Sequence, residues 1–241
     1  MSADRKPIRQ IVDLDRVDAS FEAFDWEAPR LHAEAIDAYW EQAVAAAPAI
    51  FNGTVLVQHK GLVEGRVFRA AYSPTSYKDF LGYMRLPIPE SNVRNGFAMA
   101  ALRSRDDAFL LGQMSANTAN GGKIYFAAGT PDMDDVRNGR VDLDGSVLRE
   151  MSEETGLRLE EVTIGAGWTC LIAEKRAAFM RDVFLDLPAK EARALMLGRM
   201  KTLHEQELSD IVIVRAGDPL LDDPRLPVFV SEYIRRWYAR R

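Results

Sequence analysis

The chain has 241 residues, 47% of them hydrophobic and 28% charged, which suits one large packed domain or two small ones and argues against wholesale disorder. A formal net charge of −5 disfavours nucleic acid as a partner, because no broad basic surface is available to neutralise phosphates. The lone Cys170 lies in an apolar run and can form no internal disulfide, and no apolar stretch reaches membrane-spanning length, so a cytoplasmic protein without membrane contact is expected.

In chain order, helical spacing of Ile36, Tyr39, Trp40, Ala43, Val44 and Ala47 predicts a helix over 30–48, ended by Pro48. Strands follow near 54–59 and 66–72, with a turn expected at His59-Lys60-Gly61, then a short helix from Tyr77 to Met84. Leu86 to Ser91 looks like a connector, so a boundary is placed at residue 92, separating an N-terminal extension (1–92) from the main domain (93–241). Strands are expected over 96–104, 107–113 and 124–127, and a polar loop over 129–142. A helix is predicted over 143–155, strands near 161–173 and 179–187, an amphipathic helix over 188–208, a strand at 211–214 and a final helix over 228–238. Strands and helices mix without strict alternation, which gives an α+β or three-layer class.

The chemistry concentrates in Arg149-Glu150-Met151-Ser152-Glu153-Glu154-Thr155-Gly156-Leu157. Glu150, Glu153 and Glu154 stand at i, i+3 and i+4, so a helix puts all three on one face. Leu143, Val147, Leu148 and Met151 form an apolar face able to dock on a sheet, and Gly156 suits a left-handed cap. Three carboxylates so close repel each other unless they point into water or share a cation, and magnesium, with its taste for hard oxygens and phosphates, is the natural guest. Oxygen ligands alone leave manganese as the alternative.

The segment resembles the second half of the Nudix box, Arg-Glu-φ-x-Glu-Glu-x-Gly-φ with φ apolar, and matches it at every specified position. The resemblance implies a Nudix fold over about 94–241, a mixed sheet between helical layers (α/β/α), and hydrolysis of a pyrophosphate linkage in a nucleoside diphosphate compound. It makes Glu150, Glu153 and Glu154 metal ligands, with Glu153 and Glu154 also counted as catalytic, and gives Arg149 the task of holding the glutamates. The box's first half departs from the family. Where a glycine and a glutamate belong stand Asp135 and Val141, and the usual glycine turn corresponds to Gly129-Thr130-Pro131. Asp142 either replaces the missing acid or caps the following helix. Outside the box, Glu205 is a candidate further metal ligand and Glu207 a candidate catalytic acid; Glu174 is a weaker one.

In the front segment, Trp40, Ile50-Phe51-Asn52-Gly53, Phe68-Arg69 and Tyr77-Lys78-Asp79-Phe80-Leu81-Gly82 resemble the Nudix branch that includes the animal UDP-glucose/UDP-galactose pyrophosphatase and related plant proteins. This implies a UDP-sugar substrate, cleaved to UMP and a sugar 1-phosphate. Arg69 and Lys78 could then meet phosphates, Tyr72 or Tyr77 could stack on a base, and Gly129 and Thr130 would join the substrate contacts. Asn117, Thr118 and Asn120 could also reach a ligand. His32, His59 and His204 form no recognisable cluster and receive no catalytic role. The rival readings are hydrolysis of ADP-ribose or a dinucleotide, or an inactive nucleotide-binding module of the same fold. A homodimer is left open, since no segment is visibly an interface.

Overall fold

The computed structural model describes residues 7–241 apart from 49, 90, 91, 119 and 205. The fold is α+β, built on two mixed sheets. The larger runs β1 (Gln10–Leu14), β11 (Trp168–Ile172), β12 (Arg176–Leu185), β5 (Asn95–Ser104), β6 (Phe109–Met114), β13 (Leu208–Val214), with β10 (Val162–Ile164) on β12 and β7 (Ile124–Tyr125) on β6. The smaller runs β3 (Thr54–Glu64), β4 (Val67–Ser76), β2 (Arg16–Phe21), β9 (Arg140–Val141), β8 (Val136–Arg137). One pair in each sheet is parallel, β12 with β5 and β2 with β4. Strands from both sides of residue 92 therefore share each sheet.

The period-two alternation of β5 divides the interior. Ala98, Ala100 and Leu102 face a core that includes Val147 and Met151 of α4 (Leu143–Thr155) and Ala192 and Met196 of α5 (Ala189–Met200). Phe97, Met99 and Ala101 face the opposite way, against Phe229, Val230, Tyr233 and Ile234 of α6 (Val228–Ala239). The large sheet is thus held between helices on its two faces. Each fully buried large side chain contributes about 1.5–3 kcal/mol of burial free energy. A third cluster joins Ile36 of α2 (Ala33–Ala46) to Phe80, Tyr83 and Met84 of α3 (Tyr77–Arg85), and Gly82 lies so close to Ile36 that a Cβ would come within 2.8 Å of it.

Several expected elements are redrawn. The first helix is two, α1 (Ala28–Leu31) and α2, rather than one span. His59-Lys60-Gly61 is no turn: β3 runs on to Glu64 with a bulge between Gln58 and Lys60, and the chain turns at Gly65, whose φ is 59°. The strand expected over 161–173 is broken between β10 and β11, where Gly167 has a φ of 72° and a Cβ would lie 2.4 Å from Leu14 O. Helix α5 stops at Met200 instead of 208; Thr202 Oγ1 donates to Arg199 O at 2.8 Å, a local bond that competes with further helix. Strands β1 and β2 and the β8–β9 hairpin had no sequence-based counterpart. The hairpin turns on Asn138-Gly139, both at positive φ, the backbone that a two-residue turn between twisted strands needs. The expected connector ends at Glu90 and Ser91, which lie outside the described residues.

Candidate functional site

Helix α4 forms as its sequence dictates. Asp142 Oδ1 accepts from Gly145 N at 2.9 Å at one end, and Gly156 closes the other in the left-handed conformation. Asp142 is thus the helix cap. Leu143, Val147 and Met151 anchor the helix in the core, which fixes the rotation of its opposite face.

That face carries the glutamates. Glu154 is buried; its Oε1 accepts weakly from Ala128 N at 3.5 Å, and its Oε2 has no hydrogen-bond partner. Glu150, with 17% of its side chain exposed, approaches the backbone at Gly129 so closely that a Cβ there would lie 2.3 Å from its Oε1. Glycine at 129 is therefore what admits the carboxylate. Glu153 is 59% exposed and turned to Arg149, whose Nη1 reaches Glu153 Oε2 at 3.0 Å and Glu150 Oε1 at 2.9 Å.

Arg149 is itself held from behind. Its Nη2 donates to Asp135 Oδ1 at 3.1 Å, and Asp135 Oδ2 accepts from Ser146 Oγ at 3.1 Å and from Asp132 N at 3.2 Å. Asp135 is 4% exposed, an interior anchor that sequence reasoning noted only as a departure from the box. Val141 is buried in the apolar core rather than presented at the site.

Electrostatics mark this face as strained. Burial pushes the Glu150 carboxyl up to about 7, opposed by Arg149 and aided by Glu153, Glu207 and Asp135. Burial also raises Glu154 well above the ordinary carboxylate range, with Glu150 and Glu207 adding to the rise. Glu207, in the extended run before β13, thus stands within electrostatic reach of both. Its carbonyl accepts from Ser115 N at 2.7 Å. Tyr125 belongs to the same group: burial raises its phenol first, then the fields of Glu154 and Glu207, while its hydroxyl accepts from Asn120 Nδ2 at 3.4 Å.

From the front segment, Tyr77 lies within electrostatic reach of Glu207. Burial raises its phenol, Arg85 lowers it, and Tyr39 and Glu207 raise it. Its ring meets Trp40 edge-on at 6.2 Å. Arg69 and Lys78 are engaged elsewhere, Arg69 with Glu64 and Asp18 and Lys78 with Asp37. Tyr72 is fully buried, so it stacks on nothing from solvent. Thr130 is half-buried beside Gly129, and Pro131 O accepts from Leu56 N at 2.7 Å, tying the loop to the small sheet. Glu174 sits in the turn between β11 and β12. Glu205 lies outside the described residues.

Among the described residues, no three His, Cys, Asp or Glu side chains are gathered closely enough to hold a metal, and Arg149 pairs with both Glu150 and Glu153. The donor set nonetheless fits a hard cation: a half-buried and a buried carboxylate with raised proton affinity, the buried one with an orphaned oxygen, beside a glycine that leaves room. An open cleft of about 600 Å³ lies elsewhere, lined by Lys190, Arg193 and residues 210–213 of β13, and contains none of these glutamates.

No family model and no curated protein matches the chain. Among solved structures, it is similar to a Nudix hydrolase from M. smegmatis, RenU, at 18% identity over 61% of this chain and 87% of that one, with a TM-score of 0.40. It is similar also to a C. elegans Ap4A hydrolase in a binary complex, at 17% identity over 59% of this chain and 96% of that one, TM-score 0.39. A MutT protein from Methanosarcina mazei Go1 matches at 18% identity over 61% of this chain and 94% of that one, TM-score 0.38. Likeness this remote assigns neither activity nor substrate to the present chain.

Proposed function

We propose that the chain is a Nudix-type pyrophosphohydrolase that works with a divalent metal, magnesium before manganese. The observation that carries this reading is the pair of half-buried Glu150 and buried Glu154, both raised in proton affinity, on the helix whose sequence matches the second half of the box. Two such carboxylates, with Glu207 nearby, are unfavourable in an empty site and become favourable around a cation.

Glu150 and Glu154 would hold the metal, with Glu153 at the rim and Glu205 and Glu207 as further acids from outside the helix. Bound there, the metal supplies Lewis acidity toward phosphate oxygens and a more acidic water. Arg149, fixed by Asp135, sets the position of Glu150 and Glu153 through charge-assisted hydrogen bonds. Glu207, within electrostatic reach of Glu150 and Glu154 and exposed to solvent, is suited to take the proton of an attacking water. Gly129 and Thr130 would let the substrate backbone approach the Glu150 carboxylate, and the front segment would meet the rest of the substrate through Tyr77.

Within this class the preferred substrate is a UDP-hexose, on the resemblance of the front segment, cleaved to UMP and a sugar 1-phosphate in the cytoplasm. Incubation with magnesium and UDP-glucose, UDP-galactose, ADP-ribose, a dinucleotide and nucleoside triphosphates tests both levels. UMP released from the UDP-sugars alone supports the full reading. AMP from ADP-ribose or the dinucleotide replaces the substrate but keeps the chemistry. Saturable binding without turnover of any of them removes the hydrolase reading in favour of a binding module.

A further inference from the structure

The site is rich in acid and short of free cations. Glu150, Glu153, Glu154 and Glu207 act on one another, and the cation among them, Arg149, is shared between Asp135, Glu150 and Glu153. An anionic substrate therefore needs a positive group on the side facing the glutamates. Arg69 and Lys78 do not provide it, being paired with acids of their own.

Arg85 does. It closes the last turn of α3, where the helix dipole favours a cation, and it is half-buried. It forms no ion pair among the described residues. Its guanidinium donates instead to Asn120 Oδ1 at 3.0 Å, and Asn120 Nδ2 donates to the hydroxyl of Tyr125 at 3.4 Å. Tyr125 lies in β7, three residues before the Ala128 N–H that meets Glu154. A polar chain therefore runs from Arg85 through Asn120 and Tyr125 toward the glutamate helix. Tyr77, packed on Trp40, lies in the field of both Arg85 and Glu207, so the guanidinium and that carboxylate both stand within electrostatic reach of one phenol.

We infer that Arg85 is the phosphate-binding cation of this site, aimed by Asn120, and grips the diphosphate of the substrate from the front segment opposite the α4 glutamates. The inference rests on the pyrophosphohydrolase reading for the identity of the substrate, but not for the binding of the diphosphate itself. An arginine suits the task because its planar fork can give two hydrogen bonds to one phosphate, and an amide partner leaves its charge uncompensated. It gives the front segment a defined part in recognition, and explains why its cationic contact comes from Arg85 rather than from Arg69 or Lys78.

Inorganic pyrophosphate in magnesium buffer is the probe, titrated calorimetrically into wild type, Arg85→Gln, Arg85→Lys, Asn120→Ala and, as a control on an exposed surface pair, Arg105→Gln. Arg85→Gln should weaken binding about tenfold or more, the loss of a charge-assisted contact. Arg85→Lys should recover part of it, Asn120→Ala should lose a few-fold, and Arg105→Gln should match wild type. In turnover of whichever substrate is cleaved, Arg85→Gln should raise KM far more than it lowers kcat. Equal pyrophosphate affinity in wild type and Arg85→Gln, or no binding by wild type, overturns the assignment. Arg85-dependent binding of pyrophosphate without hydrolysis of any substrate leaves the assignment standing and removes only the hydrolase reading.

Discussion

Replacing Glu150 with Gln should stabilise the metal-free protein at mildly alkaline pH. Burial moves this carboxyl from 4.5 up to about 7, so the folded chain keeps a proton that the unfolded chain releases. The stability this provides is complete below the lower value and is lost as the pH rises through the upper one. Beyond it, the ionised side chain costs about 3 kcal/mol, at roughly 1.4 kcal/mol for each factor of ten in proton affinity. Glutamine has the same shape and cannot ionise. In chelator at about pH 8, Glu150→Gln should unfold with a free energy up to about 3 kcal/mol higher than wild type, or a midpoint roughly 6–12 °C higher for a chain of this size. At about pH 4 the two should coincide. Millimolar magnesium should reverse the order at the higher pH, because binding to the folded state stabilises wild type and scarcely touches the variant. Urea titrations at the two pH values, with and without magnesium, measure all four terms. A wild type whose metal-free stability rises between pH 5 and 8, or a variant less stable than wild type at pH 8 in chelator, would refute the picture of a strained carboxylate awaiting a cation.

Three further substitutions probe the same constellation. Glu154→Gln should abolish most turnover, with near-UV circular dichroism unchanged; full activity would mean that the buried oxygen near Ala128 is no ligand. Asp135→Asn leaves Arg149 without its interior carboxylate. It should lower stability by about 1–3 kcal/mol and reduce kcat, and unchanged kcat would reject the positioning role. Gly129→Ala puts a methyl 2.3 Å from Glu150 Oε1, so it should weaken magnesium binding, read by calorimetry, far more than it lowers the melting temperature.

What could be read in advance was local. Helix α4 was placed to the residue, because its cap, apolar spacing and closing glycine all lie within the segment that they define. Its three glutamates and Arg149 came with it. Glu207 and Gly129 were named from the resemblance, and their proximity to Glu150 depends on packing that no local pattern encodes. Asp135 and Arg85 escaped for the same reason. Asp135 meets Arg149 across 14 residues and Arg85 meets Asn120 across 35, and an isolated Asp or Arg in a polar context carries no mark of such a partner. Strands β1 and β2 are short and find their partners far along the chain. The β8–β9 turn was different: Asn138-Gly139 stood in plain view, but the strands that it joins have two residues each, too few to show an alternation.

Strand β1 also sets a condition on how the chain is made. Asp13 meets Thr169 across 156 residues, so the first strand of the large sheet must wait until β11 has been made before it can pair. At roughly 5–20 residues per second of synthesis, that wait lasts about 10–30 s. During it, Gln10–Leu14 carries unpaired backbone donors and acceptors. The edge strand made first is therefore paired only after every strand from β2 to β10 has been made.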